Sequence, residues 1–144
     1  MPCTHTLLLA ALSALLLSPA LAEPTQDQRN AVARSWSEAE ADWAPVFTCG
    51  ATISKSDAYL RSLWVKEQDK ALAAMELAGW SATELAYLRQ TTSADALRLP
   101  GSTPFSNLIA YCTRQKNWIH KANRLDLKIL SSEVEQILGM YSLP

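Results

Sequence analysis

The side chains able to do chemistry in this sequence are few and widely spaced. They are two thiols, Cys49 and Cys112, a single histidine in the body of the chain, His120, a carboxylate triplet, Glu38, Glu40 and Asp42, and a basic run from Arg114 to Lys128. A histidine base needs an orienting acid and a nucleophile within hydrogen-bond reach. The nearest downstream carboxylate is Asp126, on a different part of any helix that carries His120. The carboxylate triplet is spaced i, i+2, and on a helix such positions point apart. No glycine-containing calcium loop follows it. Nucleophile-elbow, zinc-protease, Cys-x-x-Cys, phosphate-loop and dinucleotide glycine patterns do not occur. The chain has four glycines, little material for a phosphate-cradling loop. The sequence therefore predicts no catalytic residue, no cofactor and no metal site.

The thiols acquire a meaning from the start of the chain. Leu7 to Leu17 is apolar except for Ser13, and Ser18-Pro19-Ala20-Leu21-Ala22 follows. An apolar run of about ten residues, a proline and an Ala-x-Ala ending have the form of a secretory signal peptide. The run is shorter than the roughly 20 residues needed to span a bilayer. Cleavage is expected after Ala22, leaving a single domain over residues 23–144 in an exported protein, periplasmic or secreted. Cys3 leaves with the leader. The mature chain keeps Cys49 and Cys112, an even pair in an oxidising compartment, and these are expected to form one disulfide.

Around this pair the sequence is punctuated as helices. Thr25 with Gln28, and Ser81 with Glu84, have the form of capping boxes, and Trp80 with Leu85 that of a hydrophobic staple. Val32, Trp36, Ala39 and Trp43 recur at helical spacing, and Pro45 is expected to end or kink that helix. A second helix opens near Ser54 and closes at Gly79, with a kink or break plausible in the polar stretch 66–70. A further helix starts at Ser81 and weakens at Thr91. Thr103-Pro104 reads as an N-cap and first helical residue. The helix it starts carries Phe105, Leu108, Ile109 and Cys112 on a core stripe. Asn117 is expected to cap a last long helix ending at Gly139, bent near Ser132. The fold class is all-α: a small single-domain bundle of five or six helices with one disulfide.

The net charge of −1 lies wholly on the mature chain, since residues 1–22 hold no Lys, Arg, Asp or Glu. A nucleic-acid binder would show a strong positive excess. The expected function is non-catalytic: protein–protein interaction with another exported protein, in the format of immunity or secretion-accessory proteins. Two surfaces are candidates. Trp36 and Trp43 lie on an arm outside the disulfide loop, where an exposed aromatic pair would form an interaction patch. Lys121, Arg124 and Lys128 share a helical face opposite Trp118, Ala122, Leu125 and Ile129.

The skeleton of a leader, a helical body and a disulfide between Thr48-Cys49 and a cysteine following the Thr103-Pro104 helix start resembles acid-stress chaperones of the HdeA type. That resemblance implies an alternative function as a periplasmic holdase. It covers the skeleton and transfers no functional residue.

Overall fold

A computed structural model describes residues 23–50, 54–115 and 117–140. Residues 1–22, where a leader is expected, and the end of the apolar stretch 46–53 lie outside the described residues. The described residues form helices and no strand: α1 (Gln26–Cys49), α2 (Ser54–Leu77), α3 (Ala82–Thr91), α4 (Ala94–Leu97), α5 (Phe105–Arg114), α6 (Trp118–Arg124) and α7 (Leu130–Ile137). Seven helices among the described residues, rather than five or six, reflect breaks that the apolar periodicity does not show.

Local chemistry sets several boundaries. Thr25 and Gln28 cap one another reciprocally, as do Ser81 and Glu84. The Ser81 amide and hydroxyl both donate to Glu84 and hold its carboxyl below the usual range. Arg29 joins this corner to α1, pairing with Glu84 at 2.9 Å and stacking over Trp80. Gly79, at φ +96°, closes α2: its amide donates to the Glu76 carbonyl and that of Trp80 to the Met75 carbonyl. These two bonds form a Schellman motif, for which a left-handed glycine is the usual residue. Gly139 closes α7 the same way, through Gln136 and Glu135.

At two of the expected interruptions the helix is not broken. Pro45 lies inside α1, which runs on to Cys49. The carbonyl deprived of its helical partner belongs to Ala41, an exposed residue, so the loss falls where water can serve it. The polar stretch 66–70 does not break α2, because two of its members turn inward and are satisfied. Gln68 is buried and donates to the Thr92 carbonyl and hydroxyl at 2.9 and 2.7 Å, beside a 2.8 Å bond from Trp64 Nε1 to the same carbonyl. Glu67 reaches α7, as described below.

α1 and α2 touch one another little. α7 is wedged between them, with Leu130 and Val134 fully buried. An aromatic cluster of Trp43, Phe47 and Trp64, with ring centroids 5.3–6.3 Å apart, fills the α1–α2 side of the core. The Cys49–Cys112 disulfide is formed and fastens the last residue of α1 to α5. α5 is held otherwise mainly by packing on α1. Its apolar stripe is only half used: Leu108 and Cys112 are partly buried, but Phe105 is 74% exposed and Ile109 is also exposed. Thr103 gives α5 no side-chain cap, and Pro104 takes the N-cap position itself.

Candidate interaction surface

The structure separates the expected site residues. Trp36 and Trp43 are core residues, 2% and 3% exposed, so they cannot form an interaction patch on the folded surface. Their arm lies outside the disulfide loop in sequence, but α7 comes from the other arm and packs against it. Trp43 Nε1 donates to the Lys128 carbonyl at 3.3 Å. Trp36 Nε1 is buried with no hydrogen-bond partner among the described residues.

The basic residues do not share a helical face either. The long helix expected from Asn117 to Gly139 is two helices, and Lys128 lies in the turn between them. Lys121 pairs with Asp42 at 2.5 Å. Lys128 pairs with Glu38 and, at 3.0 Å, with Glu133; the Glu38 contact above all holds its ammonium above the usual lysine range. Arg124 is exposed and makes no ion pair among the described residues, and His120 is likewise exposed. Of the three cations, Arg124 alone is uncommitted; Lys121 and Lys128 fasten the α6–α7 segment to α1.

α7 begins without a side-chain cap from its own chain segment. Glu67 of α2 supplies one, accepting from the Ser131 amide at 3.1 Å and the Ser131 hydroxyl at 2.8 Å. A carboxylate there also faces the positive end of the helix dipole. Glu133, in the same first turn, accepts from Ser35 Oγ of α1 at 2.7 Å.

The break between α6 and α7 occurs at Leu125, which adopts φ +53°, ψ +31°. Its amide donates to the Ala122 carbonyl and that of Asp126 to the Lys121 carbonyl, at 3.4 and 3.0 Å. This is the bonding of the Schellman turns at Gly79 and Gly139, with leucine in the glycine position. A left-handed residue with a side chain costs about 1–2 kcal/mol. The side chain so placed is 48% exposed and therefore not held there by full burial.

Leu125 lines two adjoining grooves. One, of about 330 Å³, lies between the start of α2 and α6 and is walled by Tyr59, Leu60, Trp118, Ile119 and Ala122. The other, of about 170 Å³, is walled by Trp43, Leu63, Leu127 and Ile129. Tyr59, Ile119 and Ile129 are all substantially exposed. The grooves meet at Leu125 to form a channel alongside α2 whose walls also carry Asn123, Glu67 and Lys128. Across Trp118, on the opposite flank of α6, a polar pocket of about 300 Å³ is lined by Asp42, Arg114, Gln115, Asn117 and Lys121. No cluster of metal-ligating side chains occurs among the described residues, and none of their helices is long and apolar enough to cross a membrane.

The sequence held one sign of this surface. Leu125, Leu127 and Ile129 alternate, which a continuous helix cannot place on one face. Leu127 is buried between two exposed neighbours.

Comparison with protein-family models, with curated proteins and with solved structures finds no significant match.

Proposed function

We propose that the mature chain is an exported, periplasmic, non-catalytic helical protein that acts by docking another exported protein on the face around Leu125. The observation that carries this is the leucine at a left-handed turn. Backbone strain held where the side chain stays half in solvent, between two grooves, is accounted for by a contact made outside the chain. Exposed apolar side chains around a groove fit partner recognition. A cross-linking side chain introduced at Ile119 should give one discrete adduct with a purified exported partner. The same group at Leu77, exposed at the far end of α2, should give none, and Leu125→Asp should abolish the adduct. Equal adducts from both positions would refute a localised docking face.

A holdase function is the second reading, and one set of contacts favours it. The α6–α7 segment is fastened to α1 and α2 through four carboxylates, Asp42, Glu38, Glu133 and Glu67. Carboxylates are largely protonated at about pH 3, and each of these fastenings would weaken there. This reading expects that the mature protein suppresses aggregation of an acid-denatured client at pH 3 but not at pH 7. Absence of suppression at pH 3 would remove it.

A further inference from the structure

α5 is weakly bound to the rest of the molecule except at one point. It buries no residue fully, and its side chains make no ion pair or hydrogen bond to another element among the described residues. Residues 99–113 carry no Asp, Glu, Lys or Arg, so no charge pair can hold this span. Leu108 and Tyr111 are half-buried, while Phe105 and Ile109 are exposed. The main packing partner of α5 is α1, and that seat is interrupted twice. A groove of about 290 Å³ separates Leu108 from Thr48 and is also walled by Leu99, Pro100 and Gly101. At the other end of α5 the polar pocket of about 300 Å³ is walled by Arg114 and Gln115, and from α1 by Ala41, Asp42 and Pro45. Along α5 the bond from Cys112 to Cys49 falls between these two gaps.

The chain on either side of α5 is fastened without the disulfide. The Leu99 amide donates to Thr48 Oγ1 at 3.2 Å, and Lys121 pairs with Asp42 at 2.5 Å. α7 stays wedged between α1 and α2 through buried Leu130 and Val134, and through Lys128 and Glu67. Elements with few buried contacts open before the core does. We propose that α5 is a redox-released strap: a dithiol that opens Cys49–Cys112 frees α5 from α1 while α1, α2 and α7 stay packed. Cys49 is buried and Cys112 is partly exposed, so the dithiol's thiolate attacks Cys112 Sγ. The S–S bond breaks, and Cys49 leaves as a thiolate and takes up a proton. The second thiol of the reductant then displaces Cys112, which is protonated in turn, and the reductant closes its own disulfide. Two electrons and two protons pass from the dithiol to the protein. With the covalent clip open, the entropy of ordering α5 is opposed only by its partial apolar burial. The strap shares no residue with the grooves at Leu125.

The experiment follows amide exchange by mass spectrometry in mature protein, residues 23–144, before and after reduction with dithiothreitol at neutral pH. Exchange across 105–114 should accelerate about tenfold or more, and across 130–137 by less than about threefold. The tryptophan emission maximum, with Trp36, Trp43 and Trp64 buried, should stay far from that of the urea-unfolded chain. Reoxidation should restore the protection of α5. Cys112→Ser should show the same fast exchange in α5 with no reductant, and adding reductant should change nothing further. Unchanged protection of α5 in the reduced protein would overturn the strap. So would acceleration of α5 and α7 together with an emission maximum at the unfolded position, because the disulfide would then hold the whole fold and not one helix.

Discussion

Replacing Leu125 by alanine and by glycine tests whether its backbone is strained. At an ordinary helical position glycine is the worse residue by about 0.5–1 kcal/mol relative to alanine. At φ +53° the order should invert, because glycine removes the left-handed penalty of about 1–2 kcal/mol and alanine keeps it. Both substitutions lose the buried half of the leucine side chain. Full burial of a leucine stabilises by about 1.5–3 kcal/mol, so with 48% exposure the loss is about 1 kcal/mol. Leu125→Ala should therefore destabilise by about 1 kcal/mol and Leu125→Gly by close to zero. For a domain of this size the difference is about 4 °C in Tm. Urea and thermal unfolding followed by tryptophan fluorescence read it directly, the core holding Trp36, Trp43 and Trp64. If Leu125→Gly is the less stable of the two, the turn is not strained, and the argument that strain there serves an external contact fails. If the order inverts as expected, both variants should still bind more weakly than the parent, since each removes the side chain between the grooves.

Three further outcomes are expected. Cys112→Ser, or reduction, opens a 63-residue loop and should destabilise by about 4 kcal/mol on the chain-entropy account; two titratable thiols in unreduced mature protein would contradict the disulfide. Glu67→Ala removes the cap on α7 and should cost about 1–2 kcal/mol, with amide exchange rising first at Ser131 to Val134; a change confined to α2 would show that Glu67 does not cap α7. Glu40 is held above the usual carboxylate range by desolvation and makes no ion pair among the described residues. Its folded pKa exceeds its unfolded one, so stability is fullest below the unfolded value and falls as pH rises through the folded one; Glu40→Gln should raise Tm at pH 7 and make no difference near pH 3, and an equal shift at both pH values would show another cause.

The helix-forming segments were legible because their signals are local. Thr25/Gln28 and Ser81/Glu84 satisfy orphan amides within three residues, and Gly79 and Gly139 close turns that favour glycine. The α6–α7 break was hidden because leucine occupies the position where such a turn ordinarily signals itself by glycine. The continuity of α2 was hidden too. Whether Glu67 and Gln68 break a helix depends on Ser131 and Thr92, residues far along the chain that the local pattern does not place.

The same division governs the surface. Apolar spacing fixes which residues share a side of a helix, and an even cysteine pair after the expected leader pointed to a disulfide, since each reading depends on residues taken in sequence. Which side is covered depends on what packs there. Trp36 and Trp43 were as apolar as Tyr59 and Ile129, yet α7 buries the first pair and leaves the second at the channel. Lys121, Arg124 and Lys128 were equivalent cations in sequence, and tertiary contacts with Asp42, Glu38 and Glu133 left Arg124 uncommitted among them. The chain alone determined an all-α body around Cys49–Cys112. Only the docking of α7 between α1 and α2 decided which of its apolar and charged residues face outward, because burial is a property of pairs of elements and not of either element's own sequence.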